Sequence, residues 1–339
     1  MSDLFVGLTT GARVAVRTRI DPPPTHGPTL TDTVGELVAI DDETLLVRSR
    51  TRDVTLRRDH VVAARVIPPK PVRRGAPHRA IGIEDLHLVM TQGQPGLEEE
   101  WLGAKGAGWL LRAGRGWTGR SNSLLPVGDP GMPLPHAVTE LESWYAERGL
   151  APLVMLPRPV GVATADDALG ALLLDRGYRE LPPADVLTGW TDALLEHPVA
   201  PPEGITVHHR PDADSAWFAG SPERTREHLD VAREILSLPS SQVFLTAHDA
   251  EGGVAAVVRV VLADGWAGIF GLHVAPAHRR RGLGRWVTQE AAGAARAAGA
   301  TLTYLQVERD NTPARDLYLG MGLRTHHEYA YLQRASAPN

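Results

Sequence analysis

The sequence predicts an α/β protein in which two mixed α/β domains stand in tandem behind a small all-β barrel. Three observations predict it. Proline-rich stretches at 67–77 and 197–202 cut the 339 residues into three segments. The first segment alternates polar and β-branched residues between Gly, Pro and Asp turns. The second and third repeat one order of helix, strand and helix, as an internal duplication does. The expected boundaries are 1–70 for the barrel, 71–80 and 196–203 for linkers, 81–195 for the middle domain and 204–335 for the last.

Composition narrows the function classes. With 43% hydrophobic and 22% charged residues and a formal charge of -5, the chain reads as a soluble globular protein that mildly favours a basic partner. No apolar run reaches the roughly 20 residues that span a bilayer. The start, MSDLFVGLTT, lacks the order of a signal peptide, so a cytoplasmic location and no membrane partner are expected. Cysteine is absent, which removes disulfides, thiolate zinc sites and an acyl-cysteine intermediate.

In the first segment strands are expected at 13–17, 33–40, 44–50 and 53–57, SH3-like in size and rhythm. Its basic and acidic residues nearly balance, which disfavours nucleic acid as a partner and leaves an adaptor or packing role. In the middle segment a helix ends at Arg148-Gly149, a strand follows at 153–156, then a helix at 167–176 and Gly177-Tyr178. In the last segment a helix ending Ala298-Gly299 leads to a strand at 302–307, a helix at 312–320 and Gly322-Leu323. Upstream of it lie a strand at 205–210, helices at 212–219 and 223–236, and strands at 242–248, 254–262 and 265–274.

The third of those strands runs into Ala275-Pro276-Ala277-His278-Arg279-Arg280-Arg281-Gly282-Leu283-Gly284 and then a helix over 285–298. Backbone N–H groups converging at a helix N-terminus, where the macrodipole is positive, suit a pyrophosphate. Gly282 and Gly284 clear the approach, and Arg279, Arg280 and Arg281 add positive charge. A lone Gly-x-Gly is commonly an ordinary turn. Here Asn311 at the next helix start, with Tyr318 further along that helix, stands at a fixed distance behind it.

Val-x-Pro followed by Arg-x-x-Gly-x-Gly at a helix start, with Asn311 and the Leu-Tyr-x-x-x-Gly block around Tyr318, resembles the acetyl-CoA signature of the GNAT superfamily of N-acetyltransferases over 204–334. Leu323 replaces the aromatic residue usual at the end of that block. The resemblance implies a GNAT fold with a mixed central sheet, and transfer of acetyl from acetyl-CoA to a primary amine by direct attack in a ternary complex, without a metal. It implies that the backbone at Leu272, His273 and Val274, the run Arg279 to Arg285 including Leu283, and Asn311 hold acetyl-CoA, and that Tyr318 returns a proton to the leaving thiolate. Asn311 also reads as a helix N-cap. The glutamate base common in the family falls at Gly268 or Gln306, neither of which accepts a proton. Glu308, His273, or deprotonation by water or solvent remain.

The tail 323–332 fits two final strands joined by a turn. His326, His327 and Glu328 invite a metal reading, but neighbours on a strand point to opposite faces and no matching ligand set accompanies them. Tyr329 and Tyr331 share one face, lining an acceptor cleft or packing. The middle segment carries neither the Gly-x-Gly motif nor the Asn and Tyr, and Val127 to Pro133 lacks basic residues, so it reads as a degenerate GNAT copy. Its Arg112, Arg120 and Asn122, with Trp101, Trp109 and Trp117, form either a substrate-facing wall or core. The whole arrangement resembles an actinobacterial group of GNAT proteins of unassigned substrate. The alternative to an enzyme is an acyl-CoA sensor. A peptide, an amino acid, an aminoglycoside-like amine and a polyamine are all open as acceptors, and nothing fixes an oligomeric state. Glu223, Glu227, Asp230 and Glu234 would suit a cationic acceptor, though Arg224, Arg226 and Arg233 interleave with them.

Overall fold

A computed structural model describes residues 5, 7–22, 29–49, 53–66 and 76–334, in two units, Met1–Arg74 and Gly75–Asn339. In the first, β-branched and leucine residues at every second position bury one face of β1 (Arg13–Arg19), β2 (Leu30–Ile40), β3 (Thr44–Arg48), β4 (Asp53–Arg57) and β5 (Val61–Val66). Val14, Val16, Leu37, Leu45 and Val47 are fully buried there. The antiparallel order is β4-β3-β2-β1-β5. Two expectations are corrected. A fifth strand, β5, joins the four read from sequence, and the sheet is not closed into a barrel: β4 and β5 do not pair among the described residues. The single turn Arg58–His60 separates them, and β5 pairs with β1 instead. Most of the first proline-rich break, 67–75, lies outside the described residues.

The second unit begins with α1 (Pro77–Ala80) and α2 (Ile83–Gly93), followed by a three-stranded antiparallel sheet of β6 (Glu98–Leu102), β7 (Trp109–Ala113) and β8 (Leu125–Pro126). Next come α3 (Leu134–Glu147), β9 (Leu153–Arg158), α4 (Ala168–Asp175), β10 (Tyr178–Glu180) and β11 (Ala184–Trp190). The remainder is β12 (Thr206–Arg210), α5 (Ser215–Gly220), α6 (Glu223–Glu227), α7 (Leu229–Ser237), β13 (Gln242–His248), β14 (Val254–Ala263), β15 (Trp266–Val274), α8 (Leu283–Ala297), β16 (Leu302–Glu308), α9 (Thr312–Gly320) and β17 (Arg324–Arg334). The helix expected over 223–236 is two helices, broken at His228, whose φ of -117° and ψ of 38° are not helical.

One mixed nine-stranded sheet, in the order β10-β17-β11-β16-β15-β14-β13-β12 with β9 also on β17, runs through this unit. Here the tail departs from expectation. It is one strand, β17, and not two strands with a turn. Its first half pairs with β11 and its second half with β9. Strand β11, from the middle segment, lies between β16 and β17 and so fills the gap that a second tail strand would have filled. The expected linker 196–203 lies inside this unit. Helix α8 packs its apolar side, Leu283, Trp286, Val287, Ala291 and Ala295, against this sheet.

Candidate active site

Strands β15 and β16 pair in parallel only from Trp266 opposite Leu302 to Ile269 opposite Leu305. Beyond that point β16 stays on β11 as far as Glu308, while β15 stays on β14. The parting coincides with a bulge. Val257 faces His273 and Arg259 faces Phe270, which leaves Gly271 and Leu272 both opposite Val258. Gly271 has φ +61°, a left-handed conformation that glycine adopts without a Cβ clash. A cavity of about 380 Å³ opens where the strands separate, with Gly271, Leu272, Leu305, Gln306 and Val307 in its lining.

At the end of β15 the chain turns into α8. Gly282 caps this helix at φ +81°, and no side chain caps the first turn, so its N–H groups are open to a ligand. A Cβ added to Gly284 would touch Leu317 Cδ2 at 3.6 Å and Val274 Cγ2 at 3.9 Å, ordinary contacts. Protein packing therefore does not require glycine at 284. Arg279 donates from Nε to the Val274 carbonyl at 3.0 Å, and Arg280 and Arg281 are exposed. Leu283 is buried, so only its backbone can face a ligand, and Arg285 Nε is buried without a partner.

Helix α9 brings two further groups to the cavity. Asn311 caps the helix through Oδ1, which accepts from the Ala314 N–H at 3.3 Å, and also lines the cavity, so both roles read from its position are compatible. Tyr318 is 6% exposed, and burial pushes its hydroxyl up to about 12, keeping it protonated. Glu308 lines the cavity and is exposed, its neighbour Arg309 being held by Asp185 and Glu328. His273 does not join this group. Its Nδ1 lies 2.8 Å from the Gly220 carbonyl, where it ties α5 to β15.

The family described as "Probable histone acetyltransferase Rv0428c C-terminal" matches residues 82–332, and the one described as "Rv0428c N-terminal Sm-like domain" matches 8–65. The "Probable histone acetyltransferase Rv0428c" of Mycobacterium tuberculosis is 30% identical over 336 residues, 96% of each chain. The chain belongs to the GNAT acetyltransferase family. A "GCN5-related N-acetyltransferase from Kribbella flavida" shares the fold with a TM-score of 0.53 at 17% identity, over 75% of this chain and 96% of its own. A "Tandem GNAT protein from the clavulanic acid biosynthesis pathway" does so at 0.52 and 14%, over 64% of this chain and 76% of its own.

Neither position at which the resemblance places a glutamate base holds one in this GNAT acetyltransferase. A Cβ on Gly268 would lie 2.4 Å from the Tyr304 hydroxyl and 2.5 Å from the Phe270 ring, so the space for a glutamate there is filled. Gln306, at the second position, keeps Oε1 buried without a partner in the cavity lining. Sequence reasoning underrated one residue, Arg120. It lines the cavity on the loop after β7, together with Arg224 of α6 and both Tyr329 and Tyr331. Trp109, Trp117 and Arg112 belong to the core, and Asn122 holds the loop. Its Oδ1 accepts from the N–H of Gly114 and Gly116, while Nδ2 donates to the carbonyls of Trp117 and Thr118.

The tail histidines also depart from expectation. A bulge between the Val186 and Leu187 pairings admits His326, and its Nδ1 comes within 2.8 Å of His327 Nδ1 in place of facing away. His327 Nε2 is in turn 2.8 Å from His87 Nε2. The rings form a chain, and among the described residues no group of three or more His, Asp or Glu could hold a metal ion. Burial, reinforced by the neighbouring rings, pushes His327 down to about 3 and His87 well below the usual imidazole range. In the unfolded chain both regain the usual value near 6.5. Stability from keeping them neutral is therefore full above that value and lost as pH falls, at about 1.4 kcal/mol per pH unit per histidine. Thermal melts should show the midpoint falling steadily from pH 7 to 5, above the range where carboxylates titrate. A constant midpoint over that interval would contradict the neutral chain.

Proposed function

We propose that the cavity between β15 and β16 binds acetyl-CoA and that the chain transfers acetyl to a primary amine by direct attack in a ternary complex. The observation that carries this reading is the opening of one cavity by the Gly271–Leu272 bulge, with a buried, protonated Tyr318 in its wall. When bound, acetyl-CoA supplies the acetyl group as a thioester. The first turn of α8, with Arg279 to Arg281 around it, would take the pyrophosphate, and Asn311 would bond the pantetheine arm. One backbone N–H of Leu272, His273 or Val274 would face negative charge as it develops on the acyl oxygen. Tyr318 donates its proton to the departing sulfur. The acceptor must lose a proton before it attacks. Glu308, the carboxylate in the lining, would take it, with solvent as the other route.

Tyr318→Phe keeps the ring in the α9 packing and removes only the donor. Turnover is expected to fall by on the order of 10²-fold, with acetyl-CoA affinity unchanged by calorimetry. An unchanged rate would exclude Tyr318 from the mechanism. No thiol release with any amine, despite tight binding, would favour an acyl-CoA sensor.

A further inference from the structure

The acceptor side of the cavity has an unusual charge. Arg112 and Arg259 are 2% and 1% exposed, and Arg120 keeps its Nε buried without a partner. Among the described residues none of the three salt-bridges a carboxylate. Arg112 donates to the carbonyl and hydroxyl of Ser123, at 3.1 and 3.0 Å. Arg259 donates to the Gly93 carbonyl at 2.6 Å and Gln242 Oε1 at 3.4 Å, and lies 4.8 Å over the Phe270 ring. Arg120 lines the cavity beside the phenols of Tyr329 and Tyr331. Arg224 adds a fourth positive charge at the rim, also without a carboxylate partner. The cavity lining itself carries two of these cations, Arg120 and Arg224, and one carboxylate, Glu308. Buried cations are ordinarily paired, because leaving water is costly for an uncompensated charge. Arg112 and Arg259 find neutral oxygens instead, and Arg120, which reaches the cavity, has no carboxylate partner among the described residues.

We propose that the acceptor amine carries a carboxylate, as an amino acid does, and that Arg120 and Arg224 receive it. This rests on the transferase reading for the reaction, but it makes a separate claim about binding. A guanidinium takes a carboxylate through two parallel N–H donors, and Arg120 is carried toward the cavity on the loop that Asn122 ties down. A lysine-rich peptide or a polyamine would set cations against Arg120 and Arg224. The acidic residues of α6 and α7 do not offset this, since none of Glu223, Glu227, Asp230 and Glu234 lines the cavity and Glu234 pairs with Arg115 outside it.

The test uses matched amines on the full chain: free amino acids, the same amino acids as carboxamides, the decarboxylated amines, and a lysine-containing basic peptide. Acetyl transfer is followed by mass spectrometry and binding by calorimetry. The acids are expected to exceed their carboxamides by about 10–100-fold in kcat/KM, the range for charge-assisted bonds. Arg120→Met should erase that preference, chiefly through KM, while Arg120→Lys retains part of it. Arg224→Met, on an exposed helix, provides a variant whose folding is not at issue and should narrow the preference with unchanged acetyl-CoA affinity. Acids that bind through Arg120 without being acetylated would uphold this proposal and refute the transferase reading. Equal turnover of acids and carboxamides, preference for the basic peptide, or equal loss with every acceptor in Arg120→Met would overturn the proposal and leave the transferase standing. So would failure of the acids either to bind or to react.

Discussion

Gly284→Asp is expected to abolish acetyl-CoA binding while leaving the protein as stable as before. The two halves of that expectation have separate causes. A side chain at 284 meets Leu317 and Val274 only at ordinary contact distance, so the fold accommodates it. An acidic residue in the first turn of a helix is moreover favourable, by roughly 0.3–1 kcal/mol, through the macrodipole. The same carboxylate would stand where the pyrophosphate approaches, and opposing like charges costs several kcal/mol, roughly 10²-fold or more in affinity. Calorimetry should therefore give one acetyl-CoA per wild-type chain and none for the variant, with an equal or higher melting temperature. The count of one follows from the middle segment. Its α3 opens with Pro133, Leu134 and Pro135, so two N–H donors are missing where α8 presents its own. The nearby cavity contains Glu84 and Asp167 but no Arg or Lys in its lining. A second binding event, or a surviving one in Gly284→Asp, would show that the middle segment binds acetyl-CoA as well.

What could be read from the sequence was local in the chain. The turn into α8, the Asn311 cap and Tyr318 lie within three adjacent elements, and their spacing is set by helix and strand geometry, so a motif captures them. The strand order was not legible. Nothing in Ala184–Trp190 distinguishes a strand that ends its own segment from one that inserts between β16 and β17, because pairing partners far apart in sequence leave no periodic trace. The tail was read as two strands, whereas the strand beside β16 comes from more than a hundred residues upstream. The acceptor wall failed on a different count. Arg112 and Arg120 look equivalent in sequence, but Arg112 lies on β7 and is buried against Ser123, whereas Arg120 lies on the loop that Asn122 holds and lines the cavity. Adjacent histidines were assigned opposite faces by strand alternation, which a bulge at His326 suspends.

The shared strand β17 makes Glu328 the residue whose loss is expected to cost most in stability. Its carboxylate is 2% exposed and accepts from Arg158 Nε at 2.9 Å, Arg309 Nη2 at 2.5 Å and the Gly161 N–H at 3.2 Å. Arg158 continues to Glu180 at 2.7 Å, and Arg309 to Asp185, which also holds Arg315 of α9. One ion network thus ties β9, β10, β11 and β17 to the helix that carries Tyr318. Removing one member of a buried set leaves the others uncompensated, at roughly 3–5 kcal/mol. Glu328→Gln preserves shape and removes the charge, so denaturant unfolding at pH 7 should show a loss of that order, with reduced turnover as α9 loosens. The pH dependence identifies the cause. Burial pushes the Glu328 carboxyl up, but the donors from Arg309, Arg158 and Gly161 outweigh it and leave it below the usual range. A carboxyl lowered in the folded state contributes stability above its unfolded value, near 4.3, and loses it as pH falls through the folded value. The gap between wild type and Glu328→Gln should accordingly be full at pH 7 and narrow below about pH 4. A gap that stays constant into acid would assign the loss to packing, and a variant within about 0.5 kcal/mol of wild type at pH 7 would mean that the network adds no more than exposed ion pairs do.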